Sequence, residues 1–223
     1  GGFHLMCDAN NTIAVQKLRH KKNRPLKPFT VMFKDMDQLK KSASFSDYEK
    51  HWLISPTKPI VLLPLNAHHQ LSFEVAPDLN KVGAFLPYTP LHFLLFEALD
   101  FPLVATSANR SGSPMLHEVS QVIEQLNDVV DLILNHDRDI KNRVDDSVLQ
   151  TIDTQTIILR QARGLSPYTI PLLQKVQDPI LAIGAHQKSS IAYAFKDKLV
   201  LSPYIGDLNT IKMNNAFEET ITC

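Results

Sequence analysis

Three polar clusters in this sequence carry residue types that could do chemistry, and each lies beside an apolar run. The first is Lys22-Asn23-Arg24-Pro25, with Lys17, Arg19, Lys21 and Lys27 around it. Several fixed cations on one loop suit a polyphosphate, because ammonium groups supply point charge and guanidinium groups a planar fork for oxygens. The same composition also makes a solvated charge run. The second cluster is Thr106-Ser107-Ala108-Asn109-Arg110-Ser111-Gly112. Small hydroxyls, an amide and a glycine directly after a buried strand can present donors to a ligand, and they are equally the residues of an ordinary turn. The third runs from His136-Asp137-Arg138 through Arg143-x-Asp145-Asp146-Ser147 to Arg160-x-x-Arg163-Gly164. Carboxylates beside arginines can hold Mg²⁺ and phosphate, or simply neutralise one another as surface ion pairs.

The elements that must position these clusters alternate between strand and helix signals. Asn10 and Asn11 cap a helix from Thr12 to about His20, and the prolines of the basic segment then force an extended loop into a strand over Phe29–Phe33. Ser46-Asp47-Tyr48-Glu49 is a capping box opening a second helix. Ile60–Leu63 and Val82–Leu86 read as buried strands, and Thr89-Pro90 starts a helix over Leu91–Leu99. A strand over Pro102–Ala105 feeds the polar loop at 106–112. A helix around Glu118–Leu126 follows, then strands near Leu132–Leu134, Ser147–Ile152 and Thr156–Leu159. This alternation predicts an α/β layered fold. After a break at 174–179, Ile180–Ile183 reads as a strand, and Ile191–Phe195 with Leu199–Tyr204 as a hairpin. The expected division is therefore 1–173, a linker at 174–179, and a new unit from 180 to 223.

Bulk composition narrows the class. Of 223 residues, 44% are hydrophobic, enough for a packed core. Lys plus Arg equals Asp plus Glu at 23 each, so no global basic field supports a nucleic-acid partner. The two cysteines, Cys7 and Cys223, have no paired spacing, which fits a reducing, cytoplasmic setting rather than a disulfide or zinc framework. No apolar run is long enough to cross a bilayer, and no signal segment opens the chain. Opening on Gly1-Gly2-Phe3-His4 and stopping at Cys223, both ends read as cuts through a longer polypeptide. His68-His69 lacks further ligands at metal spacing and reads as a surface loop. Cys7 reads as a small packing side chain, and Phe93, Leu94, Leu95 and Phe96 as core or interdomain packing.

Taken together and in order, the clusters resemble the YrdC/Sua5 family. The resemblance rests on Lys22-x-Arg24-Pro25, on Ser107-Ala108-Asn109-x-Ser111-Gly112 and on Ser147-Val148. Within that family the HypF branch, which matures nickel–iron hydrogenases, is singled out by Gly1-Gly2-Phe3-His4-Leu5-x-Cys7-Asp8-Ala9 and Arg24-Pro25-x-Lys27-Pro28-Phe29. Leu86-Pro87-Tyr88-Thr89-Pro90-Leu91-His92, His136-Asp137-Arg138, Arg143-x-Asp145-Asp146-Ser147-Val148 and Ala162-Arg163-Gly164 point the same way. Several such elements in register over about 170 residues make a specific signal. From Ile180 onward the chain resembles the start of the Kae1-like domain of that branch, with Ile183-Gly184-Ala185-x-x-Lys188 as an actin-like phosphate-loop strand and Ile205-Gly206-Asp207-Leu208 as a further signature. Two positions depart from the pattern: Tyr204 stands where a His usually precedes Ile-Gly-Asp, and Gln161 where an Arg is common. The acylphosphatase and zinc-finger regions and the histidine metal pair of that branch have no counterpart in these 223 residues.

The resemblance implies a twisted mixed sheet with helices, followed by a truncated actin-like β segment. It also implies an ATP- and Mg²⁺-dependent enzyme that joins carbamate, derived from carbamoyl phosphate, to AMP with loss of pyrophosphate. In the branch, the carbamoyl group then passes to the C-terminal cysteine of HypE and becomes a cyanide ligand of the hydrogenase iron. Carried over residue by residue, Lys22 and Arg24 are the catalytic cations. Lys17, Arg19, Lys27, Ser107, Asn109, Arg143, Ser147, Arg160 and Arg163 bind nucleotide or carbamoyl group, and Mg²⁺ rides on the phosphates with Asp145 or Asp146 as the candidate protein ligand. Two alternatives share the fold: synthesis of threonylcarbamoyl adenylate from threonine and bicarbonate, and a non-catalytic module for double-stranded RNA.

Overall fold

The computed structural model describes residues 1–110, 113–141 and 143–222, so Ser111, Gly112 and Cys223 of the sequence analysis lie outside the described residues. Short β-branched and aliphatic runs set the framework, because each buries on both faces only if it pairs inside a sheet. Strands β1 (His4–Asp8), β2 (Thr30–Met32), β3 (Ile60–Pro64), β4 (Lys81–Phe85), β5 (Leu103–Ser107), β6 (Val148–Ile152) and β7 (Gln155–Arg160) form one seven-stranded sheet. Its order is β1-β5-β2-β4-β3-β6-β7, with β2–β4 and β3–β6 parallel and the remaining pairs antiparallel. This is the twisted mixed sheet that the resemblance implied.

Alternation along the strands divides the core in two. On one face Leu5, Val31, Val61, Leu63, Val82, Ala84, Val104 and Leu149 pack with side chains of α1 (Thr12–Lys21), α2 (Met36–Ser42), α3 (Asp47–Ile54) and α5 (Val119–Leu126). On the other face Met32, Ile60, Phe85, Leu103 and Ala105 pack against Phe96 of α4 (Pro90–Ala98). Helix starts follow their caps: Asn11 accepts from the Ala14 amide, Thr89 from the His92 amide, and the Glu49 carboxylate takes both the Ser46 amide and hydroxyl. Helix α2 was not expected. Its signal was present, since Asp35 caps it by accepting from the Gln38 amide.

Other expectations need correction. No strand forms at Leu132–Leu134, where Leu132 is 85% exposed and no neighbouring strand is paired. Thr106 and Ser107 belong to β5 rather than to the loop. Of the apolar run in α4 only Phe96 is core. Phe93 and Leu94 are exposed, lining a shallow 640 Å³ groove with Tyr88, Thr89, Pro90 and Glu97. His68 and His69 lie in a loop, as expected. Cys7 packs against the larger core, and burial with Asp8 nearby pushes its thiol up to about 12, so it is a packing residue rather than a nucleophile.

A second, four-stranded antiparallel sheet has the order β8-β11-β10-β9, from β8 (Tyr168–Pro171), β9 (Ile180–Ile183), β10 (Ile191–Phe195) and β11 (Lys198–Leu201), and α6 (Ile211–Thr222) closes the described chain. Its edge strand β8 comes from before the expected linker and pairs with β11 (Leu199 opposite Ile170), so the sheet reaches back across 174–179. One face carries Leu181, Ile183, Tyr193 and Phe195, all exposed. No helix among the described residues is long and apolar enough to cross a membrane.

Gly164 joins the two sheets with φ at +81°, and a Cβ built there would stand 2.9 Å from Thr57 Cβ. Left-handed backbone and lack of space act together, so Gly164→Ala should lower unfolding free energy by about 1–3 kcal/mol, measured by urea denaturation.

Candidate functional site

Helix α1 ends on Lys22, whose backbone amide still closes the last turn. From there the ammonium reaches the end of β5 and donates to Ser107 O (2.5 Å), Asn109 O (3.0 Å) and Asn109 Oδ1 (3.0 Å). Ser107 Oγ donates to the same amide oxygen at 2.9 Å, and Asn109 Nδ2 donates to Ser113 O. The first two sequence clusters therefore meet in one structure: the lysine is the post around which the Ser-Ala-Asn turn is wound. Lys22 is only 3% exposed. Burial, and after it the Arg24 guanidinium, pushes its pKa down to about 7, with Asp145 acting in the opposite sense.

Arg24 sits beside it, held by donations to Lys27 O and Pro28 O and over the Phe29 ring at 5.1 Å. Burial, then Arg19 and Arg160, bring its pKa down to about 10. Arg160 donates from Nε to Asp146 O and lies over the Tyr204 ring at 5.6 Å. Its two terminal nitrogens have no hydrogen-bond partner among the described residues. Arg24 thus shares an electrostatic neighbourhood with Lys22 on one side and with Arg19 and Arg160 on the other, and Asp145 is the carboxylate felt by Lys22.

The other predicted residues have different employment. Arg19 is buried scaffold: it donates to the carbonyls of Arg24, Pro25, Lys27 and Glu74 and so shapes the basic loop from beneath. Lys17 pairs in solvent with Asp131 at 2.8 Å, and Lys27 is exposed, contributing its carbonyl rather than its ammonium. Ser147 is fully buried, donating to Arg163 O and accepting from the Ala162 amide, so it holds a turn. Arg163 is spent on Asp146 Oδ1 (2.7 Å), Thr57 O and Lys58 O (2.9 Å each) and the Tyr88 ring (3.5 Å). Arg143 pairs with Glu219 on α6 at 2.8 Å. For Arg19, Ser147 and Arg163 the physical reason is common: a buried guanidinium or hydroxyl must find acceptors, and backbone carbonyls supply them.

Asp146 is likewise committed. Burial works to raise its carboxyl, but His4, Arg163 and the Arg163 hydrogen bond outweigh this and hold it below the usual range. Asp145 keeps its carboxylate free of protein hydrogen bonds among the described residues. No group of three His, Cys, Asp or Glu side chains among those residues could hold a metal by itself. One free carboxylate beside crowded cations suits a cation delivered on phosphate oxygens rather than a protein cage. Composition could not reveal Glu74, Thr57 or Tyr204 as partners of the three arginines, since each meets its arginine only through the fold.

Since Arg163 anchors Asp146 with both side chains largely buried, Arg163→Ala should cost about 3 kcal/mol of stability. Thermal and urea unfolding check this; unchanged stability with lost nucleotide binding would instead return Arg163 to the ligand.

Residues 1–162 match the Sua5/YciO/YrdC family model, described as telomere recombination, and residues 175–223 match that of the HypF Kae1-like domain. The chain is 40% identical over 221 residues to the carbamoyltransferase HypF of Synechocystis sp., an alignment that covers 99% of this chain and 29% of that relative. A crystal structure of full-length HypF in a phosphate- and nucleotide-bound form superposes with a TM-score of 0.96 at 40% identity, covering 100% of this chain and 35% of that one. The threonylcarbamoyl-AMP synthase of Haemophilus ducreyi is 28% identical over 161 residues, covering 70% of this chain and 85% of that enzyme. The chain belongs to the Sua5/YciO/YrdC family, and it spans under a third of the HypF relative's length.

Proposed function

From this family membership, we propose that the chain carries the adenylating step of a HypF-type carbamoyltransferase. It binds ATP with Mg²⁺ and joins carbamate, released from carbamoyl phosphate, to AMP. The observation that carries the reading is the seating of Lys22 on the Ser107–Asn109 turn with Arg24 beside it, where burial and then Arg24 depress Lys22, burial and then Arg19 and Arg160 depress Arg24, and a polyanion relieves both. Similarity to the HypF and threonylcarbamoyl-AMP synthase relatives supports adenylate formation as the reaction class.

In the proposed reaction a carbamate oxygen attacks the α-phosphorus, the bond to the β-phosphate bridging oxygen breaks, and pyrophosphate leaves. The protein's task is to position the reactants and neutralise charge. Arg24 and Arg160 face the phosphates, Arg160 with its uncommitted terminal nitrogens. Lys22 acts through its charge, because its donors are spent in holding Ser107 and Asn109. Mg²⁺ bound to the phosphates would neutralise their charge, with Asp145 the carboxylate nearest to hand. The division of the chain near 174–179, the later transfer to the C-terminal cysteine of HypE and a cytoplasmic setting belong to the same proposal.

The reading is tested by ATP–pyrophosphate exchange with carbamate and, separately, with threonine plus bicarbonate. Carbamate-dependent exchange supports it; exchange with threonine alone would move the chain to the synthase reading. Arg160→Ala should weaken ATP binding about 10- to 100-fold, measured calorimetrically, the size of one lost charge-assisted contact.

A protonation signature should accompany binding. Phosphate near Lys22 favours its ammonium form, so its pKa rises from about 7 when ATP binds. Above pH 7 the free chain holds Lys22 mostly neutral and must take up a proton; well below pH 7 the proton is already there. Calorimetry at pH 8 in buffers of different ionisation enthalpy should therefore show uptake approaching one proton, vanishing near pH 6 and in Lys22→Arg.

A further inference from the structure

Five side chains next to the cationic site close a ring of contacts that the adenylation step above does not use. His4 is the residue directly opposite Ser107 in the β1–β5 ladder, so the two side chains leave the same face of the sheet about 5 Å apart at Cβ. The His4 ring stacks on His92 with centroids 6.1 Å apart and planes 18° from parallel. Tyr88 meets His92 edge-on at 4.7 Å, and Arg163 covers Tyr88 at 3.5 Å. Arg163 holds Asp146, whose Oδ2 lies 3.8 Å from His4 Nε2 and completes the ring.

Packing alone does not account for the imidazoles. His92 Nδ1 is buried with no hydrogen-bond partner among the described residues, a cost that a phenyl ring in the same stack would avoid. Neither nitrogen of His4 makes a hydrogen bond to the protein among the described residues, although its side chain is only 14% exposed. Burial pushes both imidazoles down, His92 to about 4, so both are neutral near pH 7. A neutral imidazole has one N–H and one acceptor nitrogen. The carboxylate beside Nε2 of His4 favours the proton there, leaving Nδ1 as the acceptor.

Carbamate carries an unsubstituted NH₂ group where bicarbonate carries a hydroxyl and where the N-carboxy derivatives of amino acids carry a carbon-substituted nitrogen. Its oxygens suit the cations around Lys22, and its N–H₂ group needs a neutral acceptor. We infer that His4 is the acyl-specificity residue of this site, accepting an N–H of carbamate across from Ser107, while His92, backed by Tyr88, positions the ring and closes the space an N-substituent would occupy. The inference rests on the carbamate-adenylating reading and adds what makes the site choose an unsubstituted carbamate.

The test is pyrophosphate exchange on the 223-residue chain and three His4 variants. His4→Phe keeps the stack and removes the acceptor. It should raise KM for carbamate at least tenfold while KM for ATP stays within twofold, and His4→Gln should recover part of the loss. His4→Gly should gain exchange with threonine plus bicarbonate. An unchanged carbamate KM in His4→Phe overturns the inference. A second measurement does not depend on the variants folding: ¹⁵N imidazole spectra of the wild-type chain with a non-hydrolysable ATP analogue, titrated with carbamate. Movement of the His4 Nδ1 resonance supports the contact, and a still resonance under saturating carbamate refutes it. If ATP binds but carbamate neither drives exchange nor moves His4, both the reaction reading and this inference fall. If carbamate drives exchange while His4 stays still, only the inference falls.

Discussion

A buried ammonium is tolerable only with oxygens around it, and the three that Lys22 finds all belong to the last residue of β5 and the turn that follows it. That constraint fixes the end of α1 against the end of β5, which brings the basic loop at 22–28 over the Ser107–Asn109 turn. It also sets the electrostatics of the site. Once Lys22 is held there, every further cation nearby destabilises the others, and Arg24 and Arg160 are kept charged and close by backbone carbonyls instead of carboxylates. A carboxylate in those positions would stabilise the empty site and compete with an incoming phosphate. Neutral carbonyl dipoles orient the guanidinium groups without cancelling them.

The arginines divide along this line. Arg19 has both terminal nitrogens donating to backbone carbonyls and Arg163 has all three nitrogens donating to the protein, and each has a carboxylate beside it, Glu74 and Asp146 respectively. Among the described residues Arg24 and Arg160 have neither a full set of acceptors nor a carboxylate of their own. In sequence the four are indistinguishable, each a basic residue in a cluster with others. Their protein contacts separate only when the fold reveals which carbonyls lie in reach. Ser147 follows the same rule: a hydroxyl before a strand suits both a phosphate and a turn, and its complete burial seats it in the turn.

What was legible in the sequence is what local physics dictates. Capping at Asn11, Ser46 and Thr89 placed three helices, and bounded aliphatic runs placed β3, β4, β6 and β7, because these signals act over a few residues. The failures are non-local. The run at 132–134 has the residue types of a strand but no partner edge to pair with. Strand β8 has weak strand character, ends in Pro171, and exists because β11 offers it an edge. The meeting of Lys22 with Ser107, some 85 residues apart, followed from the resemblance and not from any pattern in the residues themselves.

The same pairing of β8 with β11 bears on how the two sheets are coupled. The connection from β7 to β8 runs through Ala162-Arg163-Gly164, where Arg163 is locked to Asp146 and to the carbonyls of Thr57 and Lys58. From the second sheet the Tyr204 amide returns to bond Gln161 O, and its ring faces Arg160. One side of that short segment is therefore fixed to the first sheet and the other to the second. Arg160, at the end of β7, lies between them, bonded to Asp146 O on one side and set over the Tyr204 ring on the other. The two units share an arginine rather than only a linker, and Tyr204 gives that arginine an aromatic face.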